Sequence, residues 1–172
     1  PPSEGAWLER LPTVLGQTVV RHLVADVPVG AFLSGGVDSS TVVAFMARAS
    51  STPIRTFSIG FDETDFDELA YARQVARRYG TAHSEYVVKP DALEVLPRLA
   101  WQLDEPFADS SVIPTYYVSK MTREQVTVAL SGDGGDEGFA GYRRYARAEA
   151  MHRHLDRFPG IAARPLFRLA SR

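Results

Sequence analysis

Val29–Ser40, VGAFLSGGVDSS, is the stretch that decides the fold. Val29-Gly30-Ala31-Phe32-Leu33 is an apolar run with the length of a short buried strand. It stops at Ser34-Gly35-Gly36. Val37-Asp38-Ser39-Ser40 then opens a segment with helical spacing at Val42, Val43, Phe45, Met46 and Ala49. A strand, a tight glycine turn and a helix start make an anion site. The first helical N–H groups have no intrahelical partner, and the helix dipole places partial positive charge there. Two glycines let the backbone approach a phosphate closely. Ser34, Ser39 and Ser40 add hydroxyl donors. Asp38 would repel a phosphate unless a cation such as Mg2+ lay between them. The Walker loop needs a lysine and a different spacing, and the dinucleotide fingerprint needs G-x-G-x-x-G; neither is present.

The 172 residues suffice for one domain with a real core. A net charge of −2 gives no electrostatic case for nucleic acid or an anionic membrane. Cysteine is absent, which excludes disulfides, thiolate metal sites and cysteine nucleophiles. No apolar run approaches the roughly 18–20 residues that span a bilayer, and no signal-peptide pattern opens the sequence. The expectation is a soluble cytoplasmic protein.

Along the chain, Pro1–Gly5 reads as a loose end. Leu8, Leu11, Leu15, Val19 and Leu23 form a helical stripe, with regular helix expected from near Leu11 because of Pro12. The strand at Val29–Leu33 follows, then a helix over Ser39–Ala49. Ile54–Phe61 is a second strand. Asp62–Asp67 is an acidic loop, with Asp67 as cap of a helix that Gly80 stops. His83–Val88 is a third strand, Pro90–Leu103 and Val112–Met121 are helices, and Gln125–Leu130 is a fourth strand. A helix is expected from about Phe139 to Leu155. Alternating strands and helices predict an α/β fold: a parallel sheet with helices on both faces and ligands at the carboxyl ends of the strands.

Two strands end in Ser-Gly, at Leu33-Ser34-Gly35 and at Leu130-Ser131-Gly132. As neighbours, they would bring both turns to one edge. The second turn, SGDGGDEGFAGY (Ser131–Tyr142), holds five of the chain's 13 glycines together with Asp133, Asp136 and Glu137. Such density suggests backbone bent around a ligand.

SGGVDSS resembles the pyrophosphate-binding loop of the ATP-pyrophosphatase (PP-loop) enzymes. Together with DEPFADSSVIPTYY (Asp104–Tyr117) and SGDGGDEGFAGYRRY, it resembles the synthetase domain of the asparagine synthetase family. The resemblance covers roughly Asp26 to Tyr145. It implies the Rossmann-like adenine nucleotide alpha hydrolase architecture, with ATP and Mg2+ bound. It places Ser34, Gly35, Gly36, Asp38, Ser39 and Ser40 on the pyrophosphate, and Asp38 and Asp136 on the metal. Phe32 and Ile59 fall at the adenine and ribose pocket, Leu33 among the ATP-binding residues, and Ser131 and Gly132 at a backbone contact to the nucleotide. Asp133 stands where asparagine synthetases usually carry Glu, and where a β-lactam-forming relative has Tyr; its implied role is to place or deprotonate the amine. Asp109, Ser110 and Ser111 are implied near the amino-acid substrate. The implied partners are aspartate and ammonia, the latter from a glutaminase domain, with a homodimer as the full-length form.

The chain departs from that pattern. It lacks the glutaminase cysteine, and neither Lys89 nor Lys120 matches the family's catalytic lysine. The expectation is one ATP-binding synthetase domain over residues 1–172, without a glutaminase domain. Residues 1–25 form its leading helix, 26–155 its core and 156–172 a truncated tail. Two alternatives stay open: another adenylylating synthetase of the β-lactam type, or a nucleotide-binding domain without chemistry. His22, His83, His152 and His154 show no zinc pattern. Trp7 and Trp101 read as core or rim, and Arg143, Arg144 and Arg147 as exposed helix charges.

Overall fold

The computed structural model describes residues 3–61, 68–89 and 91–155. The chain divides into two compact units, Pro1–Gly132 and Asp133–Arg172.

The first unit is built on four parallel strands: β1 (Val29–Phe32), β2 (Arg55–Phe61), β3 (Ala82–Val88) and β4 (Val128–Leu130). Their order is β3-β2-β1-β4. Gly30 pairs with Arg55 on one side and with Ala129 on the other, so β1 is flanked by β2 and β4. The two strands that end in Ser-Gly are therefore neighbours, as the sequence requires for a shared edge. Such parallel pairing needs crossover connections, and helices α1 (Glu4–His22), α2 (Val37–Ala49), α3 (Leu69–Tyr79), α4 (Ala92–Leu103) and α5 (Val112–Thr122) lie between or before the strands.

Strand alternation assigns the helices to two faces. Arg73 of α3 pairs with Glu85 of β3. Gln125, just past α5, donates to the hydroxyls of Ser84 and Tyr86, the residues on either side of Glu85. The α3 face carries a core in which Ala31 and Leu33 meet Val43, Met46, Ala72 and Val19. Val19 brings α1 onto that same core. α5 packs against β2 and β3 on the opposite face.

Several boundaries differ from the sequence reading. α1 begins at Glu4 rather than near Leu11, so residues 3–5 are not a loose end. The Ser3 hydroxyl accepts from Ala6 N at 3.3 Å and caps the helix. Pro12 lies inside it on the exposed side, where water can take the freed carbonyl. α2 starts at Val37, two residues before the expected Ser39, and β4 is shorter than expected. α4 begins at Ala92 because Asp91 accepts from Glu94 N at 3.1 Å and caps it there. Gly80 ends α3 in the left-handed region, as the sequence indicates. The acidic loop, the Asp67 cap, Pro90 and the tail from Asp156 fall outside the described residues.

The second unit holds a short helix that the sequence reading left as loop, α6 (Gly135–Phe139), and then α7 (Arg143–Leu155). Ala140 at φ 58° breaks the chain between them, so α7 starts four residues later than expected. Among the described residues no helix is long and apolar enough to cross a membrane.

Candidate functional site

β1 continues one residue past its paired stretch: Leu33 N donates to the Phe57 carbonyl at 2.8 Å, and the Ser58 hydroxyl donates to the Leu33 carbonyl. The chain then turns sharply through Ser34, Gly35 and Gly36. Gly35 sits at φ 86°, and a Cβ there would lie 2.5 Å from the Cβ of Tyr71 and 2.6 Å from Ala72 N. The start of α3 thus presses on the turn, and only glycine satisfies both the dihedral and the space.

The serines divide the work. Ser34 N donates to Ser39 Oγ at 3.3 Å, the two hydroxyls lie 3.0 Å apart, and Gly36 N donates to Ser34 Oγ at 3.2 Å. Ser39 Oγ in turn donates to the Gly36 carbonyl at 3.3 Å. Ser34 and Ser39 therefore hold the turn's own shape. The Ser40 hydroxyl is buried and finds no hydrogen-bond partner among the described residues. Gly36 is the N-cap of α2, and among the described residues no side chain caps the helix there. Its first N–H groups and its dipole are left for something else to satisfy. Asp38 stands half-buried in that first turn.

Ser131 and Gly132 arrive at the same place from β4. A Cβ on Gly132 would lie 2.6 Å from Ser39 N and 3.0 Å from the Cβ of Asp38. The backbone of the second Ser-Gly turn therefore lies directly on the start of α2. Phe32 and Ile59 share one face of the sheet, since Phe32 pairs with Phe57 and Ile59 is two residues further on. Both are half-buried, as a pocket wall would be.

Asp109, Ser110 and Ser111 precede α5. Asp109 accepts from Ser111 N at 2.9 Å, and that bond holds its carboxyl below the usual range. Tyr117 of α5 accepts from Asp91 N beyond the end of β3, and Arg55 at the start of β2 donates to the Gln125 carbonyl. α5 thus runs from the carboxyl edge of the sheet to the amino edge, with Asp109–Ser111 at the carboxyl-edge end. A separate groove, lined by Pro28, Met46, Pro53 and Arg55, opens at the amino edge.

Asp133 and Asp136 follow Gly132 by one and four residues and belong to the second unit. Asp136 is half-buried in the first turn of α6, and its carbonyl accepts from Ala140 N and from Gly141 N at 3.0 Å. The Tyr142 hydroxyl donates to Glu137 Oε1 at 2.6 Å, and the Arg144 guanidinium stacks 4.1 Å from the Tyr142 ring. The tyrosine's hydrogen bond lowers the pKa of Glu137, and the same bond raises Tyr142 to about 12.

Sequence reasoning missed the Tyr71–Ala72 contact with Gly35 and the Ser58 support of Leu33. Both link residues more than twenty positions apart and leave no local signal. It also missed that Ser40 alone of the three serines lacks a partner, a matter of burial rather than composition.

The fold and its Ser-Gly edge define the class: a parallel α/β domain in which two Ser-Gly strand ends meet at the carboxyl edge of the sheet. The ammonia-dependent NAD synthetase of Campylobacter jejuni, solved with a nitrate ion, superposes with a TM-score of 0.50 at 12% identity, over 78% of this chain and 60% of that one. The family model for asparagine synthase matches residues 10–172, and the chain belongs to that family. Asparagine synthetase (glutamine-hydrolysing) 1 of Bacillus subtilis is 38% identical over 151 residues, which is 87% of this chain and 24% of that protein. A candidate glutamine-hydrolysing asparagine synthetase of Methanocaldococcus jannaschii is 47% identical over 140 residues, 80% of this chain and 27% of that protein. The chain spans about a quarter of the length of these relatives.

Proposed function

We propose that this chain is the ATP-binding portion of an amide-forming ligase, one that activates the side-chain carboxylate of aspartate and passes it to ammonia. The observation that carries this reading is the closure of Gly132 onto Asp38 and Ser39 at an uncapped helix start. Two strand ends and one helix end converge there on space that suits a phosphate chain. The buried, unpartnered Ser40 hydroxyl suits the same ligand, because a buried donor without an acceptor costs free energy that a phosphate oxygen would recover.

The residues also suit Mg2+. Among the described residues no group of three or more His, Cys, Asp or Glu forms a metal cage. Mg2+ on a nucleotide needs only one or two carboxylates, since phosphate oxygens and water complete its shell. Asp38 and Asp136 are the carboxylates that would hold it, and its charge would offset that of the departing pyrophosphate.

The remaining roles belong to the chain itself. Ser34, Gly35, Gly36, Ser39 and Ser40 cradle the β and γ phosphates, and Leu33, Ser131 and Gly132 offer backbone to the nucleotide. Phe32 and Ile59 flank its base and ribose. Asp109, Ser110 and Ser111 contact the amino acid. The aspartate β-carboxylate attacks the α-phosphorus, the bond to the pyrophosphate oxygen breaks, and β-aspartyl-AMP forms. Ammonia attacks the acyl carbon, AMP leaves, and the amine loses a proton with Asp133 placing it. The names of the relatives support asparagine as the product. Neither of the chain's two lysines matches the family's catalytic one, so the chain on its own is expected to bind ATP without forming asparagine.

Calorimetric titration with ATP and Mg2+ tests the reading. Wild type should give a saturable heat that Asp38→Ala abolishes. Ser40→Ala should bind ATP about tenfold more weakly, the worth of one hydrogen bond to a charged group. It should nonetheless unfold in urea no earlier than wild type, because it removes an orphaned hydroxyl. No heat from folded wild type, or unchanged affinity in both variants, would refute the assignment.

A further inference from the structure

We infer that Gly141 sets the direction of the Asp136 carboxylate, and is therefore a positioning residue for the metal-bound nucleotide; this rests on the reading of Asp136 given above. The argument lies wholly within the second unit. After α6 the chain doubles back through Ala140, at φ 58°, and Gly141 N donates to the Asp136 carbonyl at 3.0 Å. That return lays the α-carbon of Gly141 against the Asp136 side chain. A Cβ at position 141 would collide with Asp136 Oδ1 and lie 3.0 Å from its Cγ and 3.3 Å from its α-carbon, the last a contact that a shift of a few tenths of an ångström relieves. Within 4 Å it would meet nothing nearer than this one residue. Gly141 also has no positive φ, so the left-handed region is not what calls for glycine there. Conformational freedom is thus not what position 141 requires. It requires an empty volume, which the Asp136 carboxylate fills.

The consequence is specific. Asp136 can relieve a collision by rotating about χ1, since its carboxylate is the far end of a flexible side chain. A methyl group at 141 would therefore leave α6 and α7 in place and turn the carboxylate elsewhere. The Tyr142–Glu137 hydrogen bond, at 2.6 Å one residue further on, ties the same return to the α6 turn from the other side. Glu137 is thereby engaged by a phenol, and Asp136 is left as the carboxylate whose aim the glycine controls.

The test uses Mn2+ as a spectroscopic stand-in for Mg2+ and α,β-methylene-ATP as a non-cleavable nucleotide. Free Mn2+ is read by electron paramagnetic resonance while the chain with nucleotide is titrated. Gly141→Ala is expected to raise the half-saturating Mn2+ concentration about tenfold, the effect seen when the support of a metal-binding carboxylate is lost. Its far-ultraviolet circular dichroism and its metal-free affinity for the nucleotide are expected to match wild type. In an Asp136→Ala background the same change should add nothing, because no carboxylate remains to be displaced. Wild-type Mn2+ binding by Gly141→Ala, combined with weakened binding by Asp136→Ala, overturns the inference alone. A further loss in the double variant, or loss of helix in Gly141→Ala, overturns it as well. Mn2+ binding unaffected by Asp136→Ala overturns both the inference and the role of Asp136 beneath it.

Discussion

The chain carries two glycine-rich loops that follow neighbouring strands, held by different physics. The loop at Ser34–Gly36 is fixed to the sheet: its neighbours are backbone atoms of α3 and the start of α2, and its hydroxyls bond to one another. The turn from Asp133 to Tyr142 is held by contacts of its own, namely the Asp136 carbonyl, the Tyr142–Glu137 bond and the stacked Arg144. The first loop cannot change without moving a core element. The second can change one side chain at a time.

The contrast is sharpest when the same substitution is made in each loop. Gly35→Ala places a side chain at φ 86° and within 2.6 Å of two α3 atoms, so it should destabilise the first unit by about 3 kcal/mol or more in urea melts. Gly132→Ala faces Ser39 N at 2.6 Å without an unfavourable dihedral, and should cost about 1–3 kcal/mol while weakening ATP binding. Gly141→Ala collides chiefly with the movable Asp136 carboxylate, its nearest backbone neighbour being the Asp136 α-carbon at 3.3 Å, and should cost less than about 1 kcal/mol. Equal costs at 35 and 141 would erase the distinction between the loops.

Solution pH separates the two regions in another way. Burial lowers His83, so the folded state disfavours its charged form; the stability it contributes is complete above the ordinary value of 6.5 and is lost as pH falls through the lowered one. Arg73 lowers Glu85, whose contribution is complete above 4.5 and disappears as acid titrates it. Melting curves of the first unit should therefore weaken in two steps on acidification, and Glu85→Gln should remove the lower step. In the second unit the hydrogen bond to Glu137 raises Tyr142 to about 12, so its contribution is present below 10 and fades as pH rises from there. Ultraviolet titration should show one tyrosine ionising near that value, and Glu137→Gln should return it to the ordinary range; this is the smallest effect of the set.

Much of the frame is legible in the residues. Alternating apolar runs and helical stripes give the four strands and the parallel sheet; the repeated Leu-Ser-Gly ending raises the question of a shared edge, and the pairing of β1 with β4 answers it. The SGG turn is legible for a local reason, since its glycines and serines act within six residues of one another. What escapes is non-local or depends on caps. Ser3 extends α1 over a proline that the sequence places near a helix start. Ala140 in the left-handed region ends the unexpected α6 and delays α7 to Arg143, and nothing about an alanine announces that. The pressure of Tyr71 on Gly35 comes from a residue 36 positions away, and the separation of Ser40 from its two neighbours is decided by burial.

The central claim is that the carboxyl edge around α2 takes the phosphates of ATP. Amide chemical shifts of the 15N-labelled chain, followed as ATP and Mg2+ are added, test it most directly. The largest shifts should fall at Ser34–Ser40 and at Ser131 and Gly132. Shifts concentrated instead around Pro28, Pro53 and Arg55 at the amino edge, or none in a folded chain, would contradict it.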